Sequence, residues 1–199
     1  NTLVQNIYKV INSRISHSMK STIDQPWIEA GYSLFSRDGL SGLKIDLIAK
    51  KIGISRSSFY HHFADMEIFQ EKLLEYHLTR AQRASERVKA CKTMDPEFLH
   101  AMVEEKEYIL FNRHLRNNRQ IPDYKTSFET AIGMMTLPVM PLWIEMLGLH
   151  HKPDVAFKCF MMTADILFHR MTEENMNYEW LKSFLDEMKI FFKEVDGIK

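Results

Sequence analysis

Apolar residues recur at intervals of three and four along most of this chain, which is the spacing of one face of an α-helix. Residues 48–52 contain one short apolar stripe, and Phe59 and Phe63 form a second one four residues apart. Gly53 lies between them, where a sharp reversal favours a residue that can adopt a positive φ. We expect Ile54 to pack between the two stripes. The pattern therefore predicts a short helix, a glycine turn and a second short helix.

The second of these helices carries hydrogen-bonding side chains on the faces that its phenylalanines leave open. Ser55 precedes it and is a favourable N-cap residue. The polar residues that follow are Arg56, Ser57, Ser58, Tyr60, His61 and His62. This arrangement is typical of a helix-turn-helix, whose second helix enters the major groove of DNA. Two short helices joined by glycine also occur in all-α proteins that bind no nucleic acid, so the flanking sequence has to decide.

Helices are predicted on both sides of the turn motif. A helical stripe runs from Trp27 to Phe35, and Gly39 is placed to end it. Asp65 is placed to cap a further helix that has an acidic residue in its first turn. Together these features make the stretch from about Trp27 to Glu75 resemble the DNA-binding domain of the TetR family of bacterial transcriptional regulators. The matching residues are Ala30, Phe35, Gly39, Ile48-Ala49, Gly53-Ile54-Ser55 and Phe59-Tyr60-His61-His62-Phe63.

The resemblance implies an all-α protein with an N-terminal three-helix bundle that contains the helix-turn-helix, followed by a helical ligand-binding and dimerisation domain. We assign residues 22–70 to the first domain and residues 71–199 to the second, with residues 1–21 as an N-terminal extension. Apolar positions in the extension have helical spacing, so we favour a packing helix there over an arm that enters the minor groove.

The resemblance also implies the partners and the mode of action. We expect a cytoplasmic repressor that binds a palindromic operator in double-stranded DNA as a homodimer. A small-molecule effector would release it by changing the separation of the two recognition helices, which must match successive major grooves. Activation in place of repression stays open at this point.

Chemistry assigns roles along the recognition helix. Arg56 is suited to donate two hydrogen bonds to guanine, while Ser57 and Ser58 are small enough to approach bases or phosphates closely. The resemblance assigns a phosphate contact to Tyr60. His61 and His62 end the helix and are placed to contact a phosphate or a thymine methyl group.

The sequence departs from the pattern of the family in two places. Met66 stands where the family usually has a lysine that binds phosphate, and Leu43, Lys44 and Ile45 stand where the family favours Thr or Ser at the entry to its second helix. Lys44 is a candidate replacement for the lost phosphate contact on the other side of the motif. Asp46 would repel phosphate unless it accepts a hydrogen bond from the amino group of cytosine. These departures leave a second hypothesis open, in which a degenerate helix-turn-helix binds a protein partner in place of DNA.

Two wide apolar stripes near the C-terminus predict a pair of antiparallel helices. Such a pair is half of a four-helix bundle that a second copy of the chain would complete, and the resemblance implies the same two-fold dimer. The alternative is that the stripes close the core of a monomer. The predicted interface residues are Phe157, Phe160, Met161, Ala164, Phe168, Trp180, Phe184, Met188 and Phe191.

The composition of the chain bears on the effector site. Thirteen methionines and thirteen phenylalanines indicate an adaptable apolar interior that suits a hydrophobic or aromatic molecule. Such residues also form ordinary cores, and a lone histidine is commonly structural. The candidates are Phe111, His114, Tyr124, Phe128, Met135, Trp143 and Met161.

Helix boundaries in this second region follow from capping residues. The Asp95-Pro96-Glu97 segment is a strong helix start, and the helix is expected to run to about Asn117. Pro138 and Pro141 are expected to interrupt the chain, and Gly148 to stop the following helix.

Charge is divided unevenly although the formal net charge is zero. Residues 1–63 carry eight Lys and Arg against four Asp and Glu, and the remainder is correspondingly acidic. A basic N-terminal region with an acidic remainder suits a protein that presents one end to a polyanion. Two cysteines far apart, Cys91 and Cys159, fit a reducing compartment.

Motifs for other functions are missing from the sequence. It has no glycine-rich phosphate loop, no nucleophile elbow and no zinc-binding helix motif, so we expect no catalysis, no cofactor and no metal. No run of eighteen apolar residues or secretory signal pattern is present, so we expect no membrane span.

Overall fold

The computed structural model describes residues 24–197. The N-terminal extension, for which we predicted a packing helix, lies outside these residues. Within the described range the chain contains helices and no strand, so the all-α prediction is confirmed. The N-terminal elements are α1 Gln25–Asp38, a 3₁₀ turn Gly39–Gly42, α2 Ile45–Ile52, α3 Arg56–His62 and α4 Met66–Lys89.

A π-helical segment, Met94–Phe98, and five further α-helices follow in the described part of the chain. The α-helices are α5 Leu99–Glu104, α6 Lys106–Asn117, α7 Pro122–Leu147, α8 Pro153–Arg170 and α9 Tyr178–Gly197. The helices group into two compact units that are each discontinuous in sequence. The first unit extends to Gln82 and includes Glu107–Gly133, and the second contains Arg83–Lys106 and the chain from Met134 onward.

The first unit is built around aromatic rings that come from α1, α3, α4 and α6. Phe59 lies edge-on to Trp27 with 5.5 Å between ring centroids, and Phe63 meets Phe69 at 5.0 Å. Tyr32 stacks on Phe111 at 4.3 Å. All of these rings are buried. Buried aromatic residues dominate the energetics of a core, so this cluster fixes α3 against α1 and α4.

A buried polar network crosses the same unit. The Tyr32 hydroxyl lies 3.0 Å from Nδ1 of His77, and Nε2 of His77 lies 3.2 Å from Oδ1 of Asn112. The Asn112 amide donates to the Tyr108 carbonyl, which fixes the orientation of the amide. Burial lowers the pKa of His77 to about 3, so the ring is neutral near pH 7. His77 therefore donates from Nε2 to Asn112 and accepts at Nδ1 from Tyr32.

Helix ends in the first unit follow the predicted capping pattern. Gly39 has φ of 64° at the end of α1, and Gly53 has φ of 71° at the end of α2. Oδ1 of Asp65 accepts a hydrogen bond of 2.9 Å from the backbone N–H of Ile68, which caps α4. These three predictions are confirmed, because each depends on chemistry that is local in the sequence.

The predicted interruption at the two prolines is wrong, because α7 continues through Pro138 and Pro141 to Leu147. A proline lacks the N–H that would bond to the carbonyl four residues earlier, which for Pro138 is that of Met134. The buried hydroxyl of Ser85 donates to this carbonyl at 2.9 Å. A side chain from another helix thus replaces the missing donor.

A π-helical segment, Met94–Phe98, begins at the predicted helix start and leads directly into α5, but its N-cap residue is Thr93 and not Asp95. The carboxylate of Asp95 accepts from the Tyr178 hydroxyl and the Lys182 ammonium group, both at 2.7 Å, within the second unit. The first α-helix after it begins at Leu99, and a break at Glu105 divides the single helix that the sequence predicted. The end at Asn117 and the stop at Gly148 agree with the prediction.

Helix α7 is the one helix in the described residues that is long and apolar enough to cross a membrane by length and composition. Helices of protein cores pass the same test. Tyr124 and Ala131 of this helix are buried in the first unit, and Trp143 is buried in the second. A single helix of this kind is weak evidence of a membrane span.

Candidate nucleic-acid interface

Helix α3 is anchored on one side by phenylalanine. Phe59 has no exposed surface, and Phe63, the residue that ends the helix, is also buried. Their rings contact each other and both contact Phe69 of α4. This packing fixes which side of the seven-residue helix faces outward.

The opposite side of α3 is polar and open to solvent. Arg56, Ser57, Tyr60 and His61 are exposed, and Tyr60 keeps 53% of its surface accessible. Ser58 is half-buried. These side chains offer guanidinium, hydroxyl and imidazole groups, which are the donors and acceptors used to bind phosphates and base edges.

Exposed cations lie on the neighbouring helix of the motif. Lys44 precedes α2, and Lys50 and Lys51 are exposed near its end. Asp46 lies in the first turn of α2, and its Oδ2 atom is 3.4 Å from Nη1 of Arg56. The carboxylate that the sequence marked as unfavourable therefore lies beside the arginine of the recognition helix.

His62 occupies a different environment from the other polar residues of α3. Its Nδ1 lies 3.0 Å from Oδ1 of Asp24, and only 17% of the His62 side chain is exposed. Its ring is tilted against Trp27 with 6.1 Å between centroids. We therefore interpret His62 as a residue that holds the end of α3 against the start of α1.

Two residues around the turn refine the sequence-based expectations. Ile54 is 42% exposed, so the expectation that it packs between the two helices is wrong; the aromatic rings of Phe59 and Trp27 fill the interior. Ser55 precedes α3 as expected, but its hydroxyl pairs with that of Ser57 at 3.0 Å and makes no capping bond.

Met66 begins α4 with a packing role. Its side chain is half-buried and packs against the core cluster of the first unit. An apolar side chain suits this position, which explains how the chain accommodates a residue other than lysine there.

Comparisons with known proteins agree with this geometry. Residues 28–70 match the family model described as bacterial regulatory proteins of the tetR family. The N-terminal domain belongs to the TetR family. The resemblance drawn from the sequence is thus confirmed, and its helix-turn-helix consists of α2, the Gly53 turn and α3.

Two solved structures share the fold over most of the chain. One is a protein from Rhodococcus sp. assigned to the TetR family of transcriptional regulators, with 16% identity, a TM-score of 0.53, and coverage of 82% of this chain and 95% of that one. The other is a protein of the same assignment from Mesorhizobium loti, with 17% identity, a TM-score of 0.53, and coverage of 86% and 95%. No curated protein matches the chain. At this identity the structures show the fold alone.

The candidate effector residues divide between the two units. Phe111 and Tyr124 are buried in the core of the first unit, and Phe128 packs against it. His114 lies with its ring 5.7 Å from that of Phe35, and burial lowers its pKa. Its Nε2 is buried and has no hydrogen-bond partner among residues 24–197.

The remaining candidates belong to the second unit. Trp143 is buried and its indole N–H donates to the Ala156 carbonyl at 2.9 Å, Met135 is half-buried, and Met161 is exposed. The second unit also contains an open cleft of about 270 Å³ between the Lys92–Asp95 segment, α7 and α9. None of the seven candidates lines this cleft.

The predicted dimer residues of α8 and α9 also divide into groups. Phe157, Met161 and Phe191 are exposed, whereas Phe160, Ala164 and Trp180 are half-buried. The other three, Phe168, Phe184 and Met188, are buried inside the second unit and contribute to its own core. The sequence could not separate these groups, because all nine residues share the same helical spacing.

Metal-binding chemistry is sparse in the described residues. Between residues 24 and 197 no three His, Cys, Asp or Glu side chains come together in a way that could hold a metal ion. Cys91 and Cys159 form no disulfide, and both are half-buried.

Proposed function

We propose that this chain is a ligand-responsive transcriptional repressor that binds a palindromic DNA operator as a homodimer and is released by a small apolar effector. The observation that carries the proposal is the polar, solvent-exposed face of α3, with Phe59 and Phe63 packed behind it. A buried face would have argued against a role in DNA binding. The lysines of the motif supply the charge that attracts phosphates.

We assign DNA contacts to Lys44, Arg56, Ser57, Ser58, Tyr60 and His61. His62 was predicted as a further contact, and its bond to Asp24 supports a positioning role. In this proposal the DNA-binding domain is residues 22–70, residues 71–199 carry effector binding and dimerisation, and the protein acts in the cytoplasm without catalysis.

Dimerisation is supported by apolar surface on the last two helices. The exposed apolar residues there are Val155, Phe157, Met161, Met162, Ile190 and Phe191. Large exposed apolar side chains grouped in this way favour a protein partner. A second copy of the chain fits best, because two recognition helices held about 34–36 Å apart can enter successive major grooves.

Effector binding is supported by one polar group in the first unit. His114 offers the clearest feature, a buried ring nitrogen that lacks a partner among the described residues and that a ligand could satisfy. A ligand that favours one conformation by about 1–3 kcal/mol would change the affinity for DNA ~5- to 150-fold.

Binding of the full chain to DNA tests the central claim. Fluorescence anisotropy with fragments flanking its gene should show binding that weakens steeply with salt, since released counterions set the slope. Arg56→Ala should weaken binding, whereas Arg119→Ala, which removes an exposed arginine outside the helix-turn-helix, should not. Absence of binding to any fragment at low salt, together with a stable protein complex, would favour the protein-partner hypothesis.

A second measurement tests the regulatory part. Compounds that raise the melting temperature of the protein should be found among apolar or aromatic molecules, and they should lower its affinity for DNA. A compound that stabilises the protein and leaves the affinity for DNA unchanged would not be the effector proposed here.

A further inference from the structure

We propose that Asp46 positions Arg56 to recognise guanine, so that each half of the operator requires a G·C base pair at one place. The inference rests on the proposed function as a DNA-binding regulator and deepens it by naming what the recognition helix reads. Arg56 is the residue that contacts the base, and Asp46 acts through it.

The two side chains meet across the turn of the helix-turn-helix. Asp46 belongs to the first turn of α2 and Arg56 is the first residue of α3. Oδ2 of Asp46 lies 3.4 Å from Nη1 of Arg56, although the residues are ten positions apart in sequence. The pair therefore depends on the angle between the two helices, which Gly53 and the aromatic core set.

Exposure of the pair argues against a role in stability. The Arg56 side chain is 59% exposed and that of Asp46 is 69% exposed. Ion pairs in such positions contribute little to the stability of a fold, because water screens the charges. When DNA covers this surface and removes the water, the same attraction strengthens and restricts the guanidinium group.

Charge gives a second reason for the pairing. Asp46 is the one carboxylate between Gly39 and Ala64, a segment that also carries Lys44, Lys50, Lys51 and Arg56. An isolated carboxylate on this face would be repelled by phosphates. Beside Arg56 its charge is offset, and it can approach the groove.

Hydrogen-bond geometry then selects the base. A guanidinium group has five N–H donors, and the contact with Asp46 engages only Nη1. The edge formed by Nε and Nη2 keeps two parallel donors, which match O6 and N7 of guanine. Adenine presents an amino donor in place of O6, so it cannot accept both bonds.

The test begins with selection of operators from a randomised palindromic library by the full-length chain. A G·C pair should be required at one position of each half-site. Replacing that pair by A·T should weaken binding of the unaltered chain by ~5- to 150-fold, the discrimination usual for a bidentate arginine contact. Arg56→Lys should lose most of this discrimination, because an ammonium group cannot form the planar fork.

Asp46→Asn is the decisive variant. Removing a negative charge should maintain or raise the affinity for DNA in general, while the discrimination between G·C and A·T falls several-fold. Asp46→Ser provides an independent check of the same loss. Asp38→Asn is the matched control. It disrupts an exposed aspartate–arginine pair with Arg37 at the C-terminal end of α1. This control should leave discrimination unchanged.

Two outcomes overturn the inference without affecting the proposed function. If Asp46→Asn strengthens binding to both sites equally and discrimination persists, Asp46 only repels DNA. If Arg56→Lys discriminates as well as the unaltered chain, Arg56 does not read the base. A different result, in which the unaltered chain selects no sequence and binds no DNA at low salt, overturns the proposed function itself.

Discussion

Phenylalanine has different roles in the two units. In the described part of the first unit every phenylalanine is buried or half-buried, and Phe59 and Phe111 have no accessible surface. In the second unit Phe157 of α8 is 46% exposed and Phe191 of α9 is 44% exposed. The large exposed apolar side chains described in the first unit are aliphatic apart from Tyr60.

This difference shows what each unit is built to contact. The first unit keeps its phenylalanine rings buried or half-buried and presents hydrogen-bonding groups, which suits a hydrated and charged partner such as DNA. The second unit leaves two rings uncovered among other apolar side chains, which suits an apolar partner such as a second copy of itself. Four predictions test the comparison, in order of decreasing effect on the stability of the protomer.

Phe59→Ala should have the largest effect. It removes a fully buried ring that contacts Trp27, Phe63 and Phe69, so the free energy of unfolding should fall by about 3–5 kcal/mol. Urea denaturation followed by circular dichroism measures the change. Tyr60→Ala, the adjacent and exposed ring, should change stability by about 0.5 kcal/mol or less. Equal losses at the two positions would contradict the assignment of an inward and an outward face.

Acid should destabilise the first unit through His77. The pKa of this residue is near 6.5 when unfolded and about 3 when folded, so between these pH values only the unfolded chain binds the proton. The contribution of neutral His77 to the free energy of unfolding is complete above pH 6.5. It decreases as the pH falls toward 3, by up to about 1.4 kcal/mol per pH unit.

Replacing the histidine isolates this contribution. His77→Gln should reduce the number of protons taken up on unfolding by nearly one, and so flatten the dependence of the unfolding free energy on pH. Urea denaturation between pH 7 and pH 4.5 measures this dependence. His61→Gln, at an exposed position, serves as the control and should retain the dependence on pH. If His77→Gln retains it as well, the buried and neutral state assigned to His77 is incorrect.

Ser85→Ala should have an intermediate effect in the second unit. It leaves the Met134 carbonyl without the donor that replaces the missing N–H of Pro138, at a cost of about 1–3 kcal/mol. In a Pro138→Ala background the new N–H can donate to that carbonyl, so the same substitution should cost less. A double-mutant cycle measures this coupling.

A matched serine provides the control for that cycle. The hydroxyl of Ser127 is buried and has no hydrogen-bond partner among the described residues, so Ser127→Ala should cost little. Additive effects of Ser85→Ala and Pro138→Ala would show that the serine does not compensate for the proline.

Phe157→Asp should have the smallest effect on the protomer and a large effect on assembly. An exposed side chain contributes about 0.5 kcal/mol or less to stability, but a carboxylate at an apolar interface leaves a charge without water or a partner. Sedimentation at micromolar concentration should show a dimer for the unaltered chain and a monomer for the variant. Leu40→Asp, at an exposed apolar position of the first unit, should remain dimeric. A monomeric unaltered chain would overturn the homodimer.

Features that depend on neighbouring residues could be predicted from the sequence. The inward phenylalanines of α3, the glycine at the turn and the Asp65 cap all follow from spacing and local chemistry. Features that depend on distant residues could not. The donor that allows α7 to pass Pro138 lies 49 residues from the carbonyl it serves, and the partner of His62 lies 38 residues away.

The candidate site shows the same limit. The sequence identified Arg56 and Asp46 separately, the first as a base contact and the second as a liability. Their contact requires the angle between α2 and α3, which periodicity does not encode. The division of the C-terminal stripes into buried and exposed rings likewise requires the packing of whole helices.

The order of the chain has a consequence for its biosynthesis. The core begun by Trp27 and Phe35 is completed by Phe111, Leu115 and Tyr124, which leave the ribosome long after α4. At about 5–20 residues per second, the nascent α1–α4 segment waits on the order of seconds with its inner rings open to water or to chaperones. A fragment that stops after α4 would stay in that incomplete state, so an isolated DNA-binding domain needs the chain through α6 and the start of α7.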